Sequence, residues 1–254
     1  MSYLEILQSY SLSTIQWAAI LFAVFILGFS KSGIKGIGII IVIILAFVFG
    51  EKASTGILLP MLISADIIAV SYYNRHTQWK FIKKLLPSMI VGVLVGVWVG
   101  DTISEVVFKR VMALIIIGSI GIMLFFEKRK TDTVPHNKLF SNSVGFLAGF
   151  TTMIGNLAGP ISNIYFLAMR LPKNEFIGTA AWLFFIINVF KLPFHFFVWN
   201  TVTKESLLLN LVLVPAVVIG FFFGAALVKK ISNVNYRKFI ILVTAIGGLL
   251  MLIR

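Results

Sequence analysis

The sequence predicts an all-α polytopic membrane protein made of two inverted repeats, each with about five hydrophobic segments. Three observations carry that prediction. The composition is the first: 59% of the 254 residues are apolar and 12% are charged, with a mean hydropathy of +1.01, whereas soluble domains carry about 25% charged residues. So few charges cannot cover a soluble globule of 28.2 kDa, which excludes a soluble cytoplasmic enzyme. The second is a series of apolar runs bounded by charges, Gly or Pro. The third is a set of residue spacings in the first half that recurs in the second. At about 20 apolar residues per crossing, the length allows at most roughly ten crossings, which leaves nothing for an extramembrane domain.

In chain order the apolar runs of the first half cover 17–29, 37–49, 56–73, 85–100 and 106–126. A polar linker, EKRKTDTVPHNKLFSN, covers 127–142, and further runs follow at 144–154, 159–169, 176–198, 207–228 and 236–253. The expected organisation is a first repeat over 1–126, the linker over 127–142, and a second repeat over 143–254. Glu5 is the only charge before Lys31, so the basic region of a cleaved leader is missing and the first run is expected to be a retained span.

The halves match in spacing as well as order. Pro87, Gly92, Gly96, Ser104 and Lys109 stand 5, 4, 8 and 5 apart, as do Pro215, Gly220, Gly224, Ser232 and Arg237. Gly33, Gly56 and Asp66 stand 23 and 10 apart, as do Gly155, Gly178 and Asn188. Gly28-Phe29-Ser30 likewise corresponds to Gly149-Phe150-Thr151, and Asp66 to Asn188. The small-xxx-small pairs Gly92/Gly96 and Gly220/Gly224 also suit close helix packing. An odd number of segments per repeat makes the second copy enter the membrane upside down relative to the first.

Charge supports the same topology. The net charge of +13 would suggest nucleic acid in a soluble protein. Here the basic residues gather in short connections, the positive-inside signal, and no nucleic-acid partner is expected. With both termini outside, the inner connections hold Lys31 and Lys35; Arg75, Lys80, Lys83 and Lys84; Lys128, Arg129, Lys130 and Lys138; Arg170 and Lys173; and Lys229, Lys230, Arg237 and Lys238. Sixteen basic residues then lie inside and five outside, with Lys191 in a span, which accounts for all 22. If Lys31 and Lys35 sit at depth instead, the count is 14 against five and the orientation stands. There is no cysteine, and His76, His136 and His195 are isolated, so neither a metal site nor a cofactor is expected. No P-loop or catalytic dyad appears, and the chain reads as a non-enzyme.

The first two runs of each half have only about 11 to 13 residues, too few to cross roughly 30 Å of hydrocarbon. They are expected to be short broken or re-entrant helices, a backbone tolerated at depth only where it is buried in protein or lines a wet cavity. The connections between them, GFSKSGIKGIG (28–38) and GFTTMIGNLAGP (149–160), are rich in Gly and hydroxyls. Glycines let backbone approach a ligand closely, and a following helix start offers free N–H groups to an anion. Pro160 suits the opening of such a helix. The candidate binding residues are Lys31, Ser32, Gly33, Lys35, Thr152, Gly155, Asn156, Gly159 and Pro160. A plain loop reaching water, with Lys31 and Lys35 setting topology, explains the same pattern, and both readings stand at this point.

Asp66 lies in mid-span, where an ionised carboxylate costs a few kcal/mol (about 2.5–3.5 on insertion scales). It is a candidate proton-coupling residue or a structural pair for a lysine. Asn188, Lys191 and His195 share one helical face, Pro193 interrupts that helix, and Asn188 and Lys191 join the candidate binding set. Trp17, Trp79 and Trp199 read as an aromatic belt, and Trp182 as either a cavity wall or core.

Several of these residues carry a resemblance. GFLAGFTT (145–152) through Gly159-Pro160, LPKNEFIGTAAW (171–182) and NVFK (188–191), with the two-repeat pattern, look like the sulfite exporter TauE/SafE family of bacterial and archaeal membrane transporters, over nearly the whole chain. The first half departs from the family's run of consecutive glycines followed by a proline, having separated Gly36 and Gly38. The resemblance implies secondary, non-ATP transport of small anions such as sulfite, sulfonates or related sulfur-containing or organic anions, outward across the inner membrane, with protons as the candidate coupling ion. The implied partners are a small anionic substrate and membrane lipid. An anion channel, or a non-transporting intramembrane enzyme or structural subunit, remains the alternative, and the oligomeric state is not legible.

Overall fold

The computed structural model describes residues 10–34, 37–104, 106–108, 110, 111, 114, 118, 138–232, 235 and 236, and among them it contains helices and no strand. The first half supplies α1 (Thr14–Lys31), α2 (Gly38–Phe49), α3 (Glu51–Tyr73), a single 3-10 turn and α4 (Trp79–Thr102). The second supplies α5 (Lys138–Gly155), α6 (Ala158–Ala168), α7 (Lys173–Phe197) and α8 (Lys204–Lys229). Lengths run 18, 12, 23 and 24 residues in the first half and 18, 11, 25 and 26 in the second. Most of the fifth run of each half falls outside the described residues, as do positions 127–137 of the linker, His136 among them.

Two boundaries differ from the sequence reading. The first helix of each half is 18 residues long rather than 11 to 13, about 27 Å at 1.5 Å per residue. Hydroxyl and amide residues do not end a helix, so it continues past its apolar stretch. Ser13 caps α1 in a reciprocal box with Gln16, which satisfies two otherwise orphaned backbone groups. In the second half, α5 already begins at Lys138, so the last five residues of the expected linker are helical. The second helices, α2 and α6, remain short at about 16 to 18 Å, well under the hydrocarbon thickness. Each follows a break with a residue at positive φ, Gly33 at 126° and Asn156 at 56°, and each is followed by another, Gly50 at 84° and Arg170 at 52°. At Gly33 the requirement is double, since a Cβ would also lie 2.6 Å from Ile177.

Among the described residues five helices are long and apolar enough to cross a membrane: α1, α3 extended through its 3-10 turn, α4, α7 and α8. Among these α3 and α7 are each 61% buried, against 33–39% for the others, so this pair forms the centre and the other three flank it. The packing interleaves the halves, with α4 along α5, α8 along α1, and α3 against α7. Glycines permit the closest approaches. A Cβ at Gly28 would overlap the carbonyl of Val217 on α8, and one at Gly149 would overlap that of Met89 on α4. Gly92 and Gly220 meet the carbonyls of Phe146 and Phe25 in the same way. By the repeat spacing Gly28 matches Gly149, Val217 matches Met89, and Phe25 matches Phe146. Each cross-half contact therefore has its counterpart, and the recurrent glycines are the places where one half's backbone lies against the other's.

Candidate functional site

The central pair α3 and α7 carries charge into the core. Asp66, fully buried on α3, accepts from Lys31 Nζ at 2.5 Å and from Asn188 Nδ2 at 2.7 Å. The repeat-related residues Asp66 and Asn188 are thus bonded directly to each other across the two halves. Lys31 is the last residue of α1, placed at the break by the turn at Gly33, and its ammonium lies 5.0 Å from the centre of the Phe184 ring. Lys191, one turn beyond Asn188 on α7, is also fully buried. Its Nζ donates to Thr152 O at 2.9 Å, Thr152 Oγ1 at 3.1 Å and Asn156 Oδ1 at 2.7 Å. Three acceptors around one nitrogen match the three N–H groups of an ammonium. The Asn156 amide is oriented by its other end, whose Nδ2 donates to Thr55 O at 3.0 Å. Lys191 has no carboxylate at ion-pair distance among the described residues. With both lysines and Asp66 ionised, the cluster carries one net positive charge.

Beside it lies a cavity of about 80 Å³ between the two breaks. Ser30, Lys31, Thr152, Asn156, Asn163, Asn188 and the first turn of α6 form a polar arc, and Leu27, Ile39, Val42, Leu58, Leu62 and Phe184 are among the residues of an apolar one. A water needs roughly 10–15 Å³ of such space, so the cavity admits several waters or one small anion. Leu157 gives α6 no side-chain cap, which leaves the backbone N–H groups of Ala158 and Gly159 without helical partners. Pro160 has no N–H to satisfy. The positive end of the α6 dipole therefore opens into the cavity.

The candidate residues sort into three groups. Lys31, Thr152, Asn156, Gly159, Pro160 and Asn188 line the cavity. Lys191 and Asp66 stand behind that lining and act on it through Thr152, Asn156, Lys31 and Asn188. Ser32, Gly33 and Gly155 do not line it. Ser32 Oγ donates to Phe29 O at 2.8 Å, and the carbonyls of Ser32 and Gly33 accept from the phenols of Tyr73 at 2.8 Å and Tyr236 at 2.6 Å, so these residues fasten the break. Lys35 lies outside the described residues. Ser30, one of the hydroxyls the sequence offers in the first connection, lines the cavity, and so does Asn163, which was missed in the sequence. Asn163 was legible by the criterion that singled out Asp66, being a polar residue inside a short apolar run, and it stands one turn after Gly159.

At the far end of α7, His195 Nδ1 lies 2.8 Å from Thr201 Oγ1 and its ring packs edge-on against Trp199. Trp199 corrects the aromatic-belt reading. It is 6% exposed, lies over Gly100, where a Cβ would overlap its ring, and its Nε1 donates to Val97 O at 3.2 Å. Trp79, at 44% exposure, suits an interfacial position. Trp182 does not line the cavity; its Nε1 donates to Asn74 Oδ1 at 3.0 Å.

Residues 20–251 match the family described as sulfite exporter TauE/SafE. The chain belongs to that family. No curated protein and no solved structure matches it. The matched region takes in both breaks, the cavity and the buried lysines of this TauE/SafE protein, and the membrane-transporter character of the family agrees with the five long apolar helices among the described residues.

Gly159 offers a clean test of the cavity. A Cβ built there meets nothing within 4 Å, so Gly159→Ala projects a methyl into open space. Alanine is favoured over glycine in helices by about 0.5–1 kcal/mol, so the variant is expected to melt no lower than the wild type. Anion affinity, measured by titration calorimetry on purified protein, is expected to fall at least about tenfold. Unchanged affinity would show that the ligand does not occupy this cavity.

Proposed function

We propose that this TauE/SafE protein is a secondary transporter, an exporter of small anions such as sulfite, sulfonates or related sulfur-containing or organic anions across the bacterial or archaeal inner membrane. The observation that carries the reading is a second buried lysine, Lys191, with no carboxylate at ion-pair distance among the described residues, beside a cavity into which an uncapped helix N-terminus opens. A buried cation without a counter-ion is costly, and an anion in the cavity supplies the missing charge. Lys31, the amides of Ala158 and Gly159, Thr152 and Asn163 contact it, while Lys191 and Asn188 set its electrostatics from behind. The repeats are inverted, with both termini outside, and the site lies near the midplane where the two breaks meet. Rocking of one half against the other at the glycine contacts exposes it alternately to each side. Asp66 is the coupling group. When it is ionised, it holds Lys31; when it takes up a proton, Lys31 is released to the anion, so proton and anion bind together and leave together when the anion's own outward gradient drives them.

The test is flux of radiolabelled sulfite, sulfoacetate and simple carboxylates in proteoliposomes, with and without a pH gradient. Saturable flux that responds to the gradient is expected. If none of these anions moves, the transporter reading is wrong.

A further inference from the structure

The polar groups of the cavity are mostly committed. Asn156 Nδ2 is bonded to Thr55 O, Asn188 Nδ2 to Asp66, and one Lys31 N–H to Asp66. Asn163 differs from all of them. It is 3% exposed, lines the cavity, and has no hydrogen-bond partner at either Nδ2 or Oδ1 among the described residues. It stands one turn from Gly159 on α6, on the face that carries the helix's free N–H groups into the same space.

An anion's oxygens only accept hydrogen bonds. The free amides of Ala158 and Gly159, the remaining N–H groups of Lys31 and the Asn163 NH₂ all serve such a ligand. Asn163 Oδ1 does not, because it is an acceptor. Both ends of the amide are buried as well as unpartnered, so a ligand filling about 80 Å³ beside them is what must supply their partners. Oδ1 is then left desolvated and facing negative charge unless the ligand presents a donor. Leaving such a group unpaired discriminates strongly between otherwise similar ligands.

We infer that Asn163 is a specificity-determining residue and that the site selects anions carrying their own hydrogen-bond donor, a protonated oxyanion or a hydroxyl-substituted acid, over anions that only accept. This rests on the anion-site reading above and specifies the ligand more narrowly. Rotation of the amide does not escape the requirement, since whichever way it points one end is an acceptor.

The experiment titrates purified full-length protein with two pairs of anions, each similar in size: glycolate against propionate, and hydrogen sulfite against methanesulfonate. The wild type is expected to prefer the donor-bearing member of each pair by about ten- to a hundredfold. Asn163→Leu, of similar volume with no polar atom, is expected to bring each pair to within about twofold, because it removes the acceptor that tells the two members apart. Asn163→Ser keeps a donor and an acceptor on a shorter arm and retains a preference of the same sign, which guards against misfolding of the leucine variant. Binding of all four anions by the wild type without preference overturns this assignment alone, as does a preference that survives in Asn163→Leu. No binding of any of the four removes the anion site itself, and this assignment with it.

Discussion

Replacing Lys191 with methionine is expected to abolish high-affinity anion binding while leaving the helices folded. Methionine has nearly the length of the lysine stem and fills the same fully buried volume, so the substitution removes charge and hydrogen bonds more than packing. It leaves Thr152 O and Oγ1 and Asn156 Oδ1 without their common donor, at a cost of about 1–3 kcal/mol per unsatisfied group. Asn156 stays anchored to Thr55, which limits the rearrangement. The electrical consequence is larger. With Lys191 gone, Lys31 and Asp66 neutralise each other and an incoming anion meets no net charge. Removing one partner of a buried charged contact costs about 2–5 kcal/mol, roughly 30- to 5,000-fold in Kd. Lys191→Arg is expected to fail as well, because three acceptors converging on one point suit a compact ammonium and not a planar fork. Calorimetric titration together with far-ultraviolet circular dichroism checks both halves of the statement. Intact affinity in a folded Lys191→Met protein would exclude Lys191 from the site.

Much of this site was legible because charge is scarce in the sequence. Asp66 and Lys191 were identified as mid-span ionisable groups, and both are fully buried. The repeat spacing that matched Asp66 with Asn188 identified two residues that touch, since equivalent positions on the two central helices lie opposite each other. The glycines that recur at fixed spacing proved to be contact points between the halves. Partnership was not legible. The spacing does not say that Lys31 would bond Asp66 rather than Lys191, because that depends on how far α1 runs before the turn at Gly33, and the apolar pattern ends two residues before Lys31. Nor does it say that Ser32 and Gly33 would turn their carbonyls to two tyrosines and away from the cavity. The lysines also obey no repeat symmetry. Lys31 corresponds to Thr152, and Lys191 to Ala69, so each half contributes one lysine from a different helix, and the two still converge on the same junction.

Replacing Asp66 with asparagine is expected to convert coupled transport into voltage-driven anion flux. Asparagine keeps the shape and one oxygen for Lys31, but it cannot lose or gain the proton, so Lys31 is permanently available to the anion and the cluster carries two positive charges. Anion affinity is therefore expected to match or exceed that of the wild type and to lose its rise toward low pH. The sign follows from the proposed coupling role of Asp66: on that reading acidification protonates Asp66, frees Lys31 and favours anion binding, so a monovalent anion and a proton move in the same direction and the cycle is electroneutral. Without the proton each cycle moves one negative charge, and the membrane potential acts on it with about 2.3 kcal/mol per 100 mV. In proteoliposomes the wild type is expected to respond to a pH gradient and to ignore a valinomycin-set potassium potential. The Asp66→Asn protein is expected to do the reverse, with a potential negative on one side driving anion to the other. Retention of pH-driven flux by this variant would assign Asp66 a structural role and place the coupling proton elsewhere. Loss of binding in Asp66→Asn would show that the carboxylate organises the site through Lys31 and Asn188 instead of competing with the anion for Lys31.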